Sequence, residues 1–195
     1  MAKNTLDGGK EIKPPGGMIQ DWLGAMFLPR TSLAQVRSLM QDYPNYQVYF
    51  KPEVTESRLL GHHGNEYRVF LRLYKKNVLT AVLNTTYAIE YGSPEPRLLY
   101  IVSHSTRIAE VSDPSQSMTR EEPPGKDNGY LWALNSYWRF EEADGGVYAE
   151  CEAISLSRDV PFGLGWALKG FLDKFPKDSM QNTLAGVKRA VAHTN

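Results

Sequence analysis

The sequence predicts an α+β fold in which a curved antiparallel sheet of about seven strands grips a long C-terminal helix. Three observations predict it. Segments of alternating apolar and polar residues recur between Glu53 and Ser157, separated by turn signals such as Gly92-Ser93-Pro94 and Asp144-Gly145-Gly146. After Asp159 the pattern changes to helical spacing. Hairpin connections make neighbouring strands antiparallel, and such a sheet has one apolar face for a long amphipathic helix to cover.

The elements follow in order. Residues 1–17 hold four Gly, two Pro and three Lys and read as a flexible leader ahead of a single domain over residues 18–193. The leader has no apolar core of the kind a signal peptide needs, so a soluble, cytoplasmic protein is expected unless such a peptide has been removed. Met18–Leu28 is mostly apolar and reads as the first strand. Thr31–Tyr43 reads as a helix, because Leu33, Val36, Leu39, Met40 and Tyr43 share a face and Ser32 with Gln35 has capping-box form. Pro44 ends it, and Tyr46–Pro52 has room for a second helical turn.

Strands are then predicted at Glu53–Leu60, Glu66–Tyr74, Val78–Tyr91, Arg97–Val111, Tyr130–Glu142 and Val147–Ser157. Tyr67, Val69, Leu71 and Leu73 share one face of the second, and Leu79, Ala81, Leu83, Tyr87 and Ile89 one face of the third. Lys75-Lys76-Asn77 reads as a turn. The 18 residues Ser112–Gly129 form a long loop, either a lid over a cavity mouth or a surface loop. Asp159 as N-cap and Pro161 in the first turn open the terminal helix. Leu164, Leu168, Phe171 and Phe175 form one apolar stripe, and Met180, Leu184, Val187 and Val191 another. Pro176 between them is expected to kink or split the helix.

Composition excludes several functions. Lys plus Arg and Asp plus Glu are both 22, so the basic excess of a nucleic-acid binder is missing. Apolar runs reach about five residues, far short of a membrane span. One cysteine and four scattered histidines give no metal cage, and no phosphate-cradling glycine loop or nucleophile motif is present. We therefore expect no metal, no cofactor and no catalytic residue. His62-His63 reads as a solvated turn. Asn84-Thr85-Thr86 matches a glycosylation sequon but falls within a strand.

The last hairpin is the most informative stretch. A two-residue or four-residue loop at Asp144-Gly145 sets Trp138 opposite Cys151, Phe140 opposite Ala149, Ser136 opposite Ala153 and Leu134 opposite Ser155. Large groups then face small ones on the inner side, while Arg139 meets Glu150 outside. A three-residue loop would bring Glu152 inward instead. The small residues leave room either for a ligand or for the aromatic rings themselves. Tyr87, Trp132, Leu134, Ser136, Trp138, Phe140, Cys151, Ala153, Leu168 and Phe171 are the candidate wall of a cavity. His104, Arg107, Glu150 and Glu152 are candidate polar groups within it, and Glu110 is a further ionisable strand residue.

The order of elements, and above all Tyr130–Phe140, Asp144-Gly145-Gly146, Glu152–Arg158 and Asp159-Val160-Pro161, resembles the helix-grip superfamily called SRPBCC. That group includes START lipid-transfer domains, birch-pollen-allergen-like proteins, polyketide cyclases and coenzyme-Q-binding proteins. The resemblance covers residues 18–191. It implies a cavity between sheet and terminal helix for an apolar or amphipathic small molecule, such as a lipid, polyketide or quinone-like compound. It carries over no catalytic residue. Carriage of such a molecule is the first expectation, a cyclase or isomerase using the same pocket the second, and a structural domain with a collapsed core the third.

Overall fold

The computed structural model describes residues 2–3, 12–76, 80–112, 120–159 and 165–194, with the backbone alone for 2–3, 165–175 and 193–194. The strands are β1 (Ala2–Lys3), β2 (Gly17–Pro29), β3 (Val54–His63), β4 (Glu66–Lys76), β5 (Thr80–Gly92), β6 (Leu98–Ser112), β7 (Arg120–Glu121), β8 (Ala133–Ala143) and β9 (Gly146–Arg158). The helices are α1 (Leu33–Gln41), α2 (Tyr46–Tyr49) and α3 (Gly165–Thr194), with a 3₁₀ turn at Tyr43–Asn45. The sheet runs β1-β2-β9-β8-β6-β5-β4-β3, antiparallel throughout, and β7 pairs with the end of β6. This is the expected α+β architecture.

The β8–β9 hairpin takes the two-residue loop. Asp144 and Gly145 both lie at positive φ, 52° and 73°, the type of turn that matches strand twist. Trp138 partners Cys151, Phe140 partners Ala149, Ser136 partners Ala153 and Leu134 partners Ser155, as the turn requires. Arg139 partners Glu150 in register, but its guanidinium bonds Glu141 on its own strand, at 2.6 Å.

α1 begins where its capping box predicts. Ser32 Oγ accepts from Gln35 N–H at 3.2 Å, and Gln35 Oε1 accepts from Ser32 N–H at 2.8 Å. Its buried residues are Leu33, Val36, Leu39 and Met40. In α3, Met180, Leu184, Val187 and Val191 are buried against the sheet and the short helices. Gly186 lies close against the end of α2. A Cβ there would lie 2.7 Å from Phe50 Cδ1 and 2.9 Å from the Tyr49 carbonyl oxygen.

Several expectations need correction. β3 continues through Gly61 to His63, helped by register shifts at Val54/Glu56 and Leu59/Gly61, so His62 is a strand residue whose ring stacks on Tyr67. Lys75 and Lys76 complete β4 and are not a turn. The 112–129 connection carries the small strand β7. Pro176 does not split α3, since proline removes only one intrahelical hydrogen bond from a long helix. Pro161 and Leu164 lie outside the described residues, as do residues 113–119. Ala2 and Lys3 pair with Leu23 and Trp22 at the edge of the sheet.

Candidate functional site

A cavity of about 340 Å³ lies between the sheet, α3 and the short helices. Its volume is within the usual range of ligand sites. The collapsed-core expectation therefore fails. The floor is built by the inward parity of four strands. Trp22 on β2, Ala153 on β9, Ser136 on β8 and Ser103 on β6 lie on one rung across the sheet, each the register partner of the next. The short side chains in the middle of this rung keep the floor low. Val69, Leu71 and Leu73 of β4, and Leu83, Tyr87 and Ile89 of β5, form the far wall.

Of the predicted wall, Tyr87, Leu134, Ser136, Trp138, Cys151 and Ala153 line this cavity. Trp132 does not. Regular pairing of β8 begins only at Ala133, so the parity that turns Leu134 and Ser136 inward does not reach Trp132. Its side chain is 40% exposed, with the Arg158 guanidinium 6.0 Å from the ring. Phe140 has inward parity but lies behind Trp138, stacked on it at 5.2 Å and wholly buried among the residues that pack on α1. The side chains of Leu168 and Phe171 lie outside the described residues.

The predicted polar groups lie away from the cavity. His104 is exposed and packs edge-on against Tyr137, while Glu150 and Glu152 have the outward parity of β9. Arg107 pairs with Glu121 of β7, and this guanidinium holds the Glu121 carboxyl below the usual glutamate range. A bulge explains β6. Tyr87 partners Ser105 but Thr86 partners Arg107, so one extra residue, Thr106, shifts the parity. Glu110 thereby falls on the inner side as the partner of Leu83. It is buried and accepts from Asn128 N–H at 2.7 Å, Asn128 Nδ2 at 3.0 Å and Tyr130 N–H at 2.8 Å. These bonds hold the segment that sets Tyr130 and Leu131 at the cavity wall, in the place that the sequence pattern gives to Trp132.

The polar end of the cavity is absent from the sequence-based expectations. Glu53, Lys75, Ser179 and Asn182 line it together, brought from the turn just before β3, the end of β4 and the middle of α3. Lys75 Nζ ion-pairs with Glu53 and donates to Ser179 Oγ at 3.1 Å. Asn182 Nδ2 donates to Glu53 Oε1 at 3.1 Å. Both charged side chains are mostly buried, 20% exposed for Lys75 and 16% for Glu53. Among the described residues no cluster of His, Cys, Asp and Glu could hold a metal ion, and no helix is long and apolar enough to cross a membrane.

A buried tyrosine group closes the side under α1. Tyr43 and Tyr91 hydroxyls are 2.6 Å apart, Tyr91 donates to the Met40 carbonyl at 2.5 Å, and Tyr46 donates to the same carbonyl at 2.6 Å. That carbonyl belongs to the last turn of α1, where no intrahelical donor is left for it. Burial raises the phenol pKa of all three, and that of Tyr87 to about 12.

No protein-family model matches the chain, and no curated protein matches it. Solved structures do. A protein of Thermus thermophilus superposes with a TM-score of 0.65 at 12% identity, over 90% of this chain and 99% of the other. A STAR-related lipid transfer protein of Xanthomonas axonopodis gives 0.63 at 13% identity, over 93% and 96%. The Zhui aromatase/cyclase of a Streptomyces species gives 0.62 at 10% identity, over 89% and 94%. At such identities the likeness is one of fold, and this chain accordingly has the helix-grip fold of the SRPBCC type.

Proposed function

We propose that this protein binds and carries an apolar or amphipathic small molecule in the cavity between sheet and α3. Residues 18–193 act as one ligand-binding unit. The observation that carries this reading is the contrast within one cavity: aromatic and aliphatic walls over most of its length, and the Glu53–Lys75–Ser179–Asn182 cluster at one end. An apolar body removed from water on the walls gains roughly 25 cal/mol per Å² of surface. A polar head at the cluster would keep hydrogen-bonding partners there. A lipid, polyketide or quinone-like compound has this build, and the fold neighbours named for lipid transfer and for aromatase/cyclase activity support the reading. His104, Arg107, Glu150 and Glu152 lie away from the cavity, and the ionisable pair that does line it, Glu53 and Lys75, is engaged in a mutual ion pair, which favours carriage over catalysis.

The test is native mass spectrometry of protein purified from its host, together with displacement of the apolar dye 1-aminoanthracene. A copurified mass of a few hundred daltons, and saturable dye binding lost in Ala153→Phe, are expected. Failure of the folded protein to retain any mass or bind the dye would overturn the proposal.

A further inference from the structure

Three serines with inward parity line the cavity floor: Ser103 on β6, Ser136 on β8 and Ser155 on β9. Ser103 is only 9% exposed, and Ser136 and Ser155 are half-buried. Among the described residues none of the three hydroxyls has a hydrogen-bond partner, yet none is sealed off from the cavity. Ser105, two residues along β6, is the contrast, since its Oγ accepts from Leu134 N–H at 3.0 Å. Ala153 on the rung of Ser103 and Ser136 shows that a methyl group is enough to keep the floor low. Space alone therefore does not call for the hydroxyls, and an unpaired hydroxyl in an apolar cavity costs free energy. The three form a patch. Ser103 and Ser136 are register partners on neighbouring strands, which sets their Cβ atoms about 5 Å apart. Ser155 pairs with Leu134 and so lies diagonal to Ser136, roughly 7–8 Å away.

We infer that Ser103, Ser136 and Ser155 read oxygen atoms along one edge of the ligand's body, so that the cargo is an oxygenated ring compound and not a plain acyl chain. This inference rests on the carrier reading and names the chemistry of its ligand. Water serves the three hydroxyls when no ligand covers them. An acyl chain or a bare ring displaces that water and leaves them unpaired, whereas ligand oxygens replace it. A serine hydroxyl both donates and accepts, so hydroxyl and keto oxygens fit alike. Two oxygens in a 1,3 relation on a six-membered ring are spaced much as Ser103 and Ser136 are, and a rigid ring holds both in place at once. The patch belongs to β6, β8 and β9, whereas Glu53 and Lys75 come from the turn before β3 and from β4, so edge and head would be read at separate points.

The test uses naphthalene and 1,3-dihydroxynaphthalene, which share one ring system. Each is titrated calorimetrically into the full chain and into the double variant Ser103→Ala/Ser136→Ala. In a site without partners the two ligand hydroxyls lose their hydration and weaken binding. Wild-type protein should instead bind the dihydroxy compound roughly ten-fold more tightly than naphthalene, and the double variant should reverse the order. A wild-type preference for naphthalene, equal binding of the two, or a dihydroxy preference that survives in the variant overturns the inference while leaving the cavity a binding site. Binding of 1-aminoanthracene but of neither ring compound does the same. Binding of none of the three overturns the carrier reading and the inference with it. The variant's thermal unfolding without ligand is a second readout. Its Tm should be unchanged or higher, since alanine fills the same floor with no hydroxyl to hydrate. A clear fall, or failure to fold, would show that the hydroxyls serve the fold and would overturn the inference.

Discussion

Trp138 faces Cys151 directly across the β8–β9 hairpin, and both side chains open onto the cavity. The large ring on one strand and the small thiol on the next make the step in height from which the cavity floor falls away. Burial pushes the Cys151 thiol pKa well above its ordinary value.

Cys151 should therefore be inert in the native state. Since the thiolate is the reacting species, iodoacetamide at pH 8 should modify Cys151 in folded protein at under roughly a tenth of the rate seen in denaturant. Mass spectrometry of timed aliquots measures this. Equal rates would mean that the hairpin opens readily.

Trp138→Ala should lose the stack with Phe140 and deepen a space that already exists. A loss of about 3 kcal/mol is expected, the low end for aromatic truncation, because one side of the ring faces the cavity. Urea denaturation provides the number. A loss above about 5 kcal/mol would indicate a solidly packed site.

The hairpin is legible in the sequence because every cue for it is local. Asp144-Gly145 set the turn, the turn sets the register, and the alternation of sizes identifies the inner face. β6 is not legible in the same way. Its parity changes at Thr106, and a bulge leaves no periodic signal, so Arg107 and Glu110 could not be assigned to faces. The Glu53–Lys75–Ser179–Asn182 cluster is invisible for another reason. Its members come from three separate elements, and Lys75 reads as part of a turn. Trp132 misleads because strand parity extends in the sequence one residue past the point where pairing starts.

Gly186→Ala should destabilise the protein even though alanine is the better helix former by about 1 kcal/mol. The added methyl meets the Phe50 ring and the Tyr49 carbonyl, neither of which is the free end of a flexible chain. Overpacking of this kind costs about 1–3 kcal/mol, so a net loss of roughly 1–2 kcal/mol is expected in thermal or urea unfolding. A gain would show that α2 yields.

Lys75→Met should leave Glu53 partly buried with only the neutral donors of Ser179 and Asn182. The loss should fall between the values for exposed and buried pairs, about 1–3 kcal/mol. The double variant Glu53→Gln/Lys75→Met should recover part of it. A double-mutant cycle on thermal unfolding gives the coupling, and strict additivity would show that the pair does not interact.

Alkaline pH should unfold the protein before its buried phenols ionise. The folded-state pKa of Tyr87 is raised from 10 to about 12, so its contribution is complete below pH 10 and is lost as pH rises toward 12. Tyr43, Tyr46 and Tyr91 act in the same direction. Stability followed by urea unfolding should decline above pH 10, and absorbance at 295 nm should show a phenolate step that coincides with loss of structure. Tyr87→Phe should flatten the decline between pH 10 and 12. An unchanged slope in that variant would place the buried charge cost elsewhere.

The pairing of β2 with β9 has a temporal meaning. The strand at Gly17–Pro29 finds its long-range partner only at Gly146–Arg158, and α3 follows later still. On a ribosome, the first strand must wait while more than a hundred further residues are made, and the apolar sheet face stays open to solvent until α3 has emerged. Closing so long a chain segment is slow, which extends the interval in which the nascent chain can be captured by chaperones or by its own copies. The cavity is complete only once Gly165–Thr194 has been made and has closed over the sheet, so a molecule can be enclosed there only after that step.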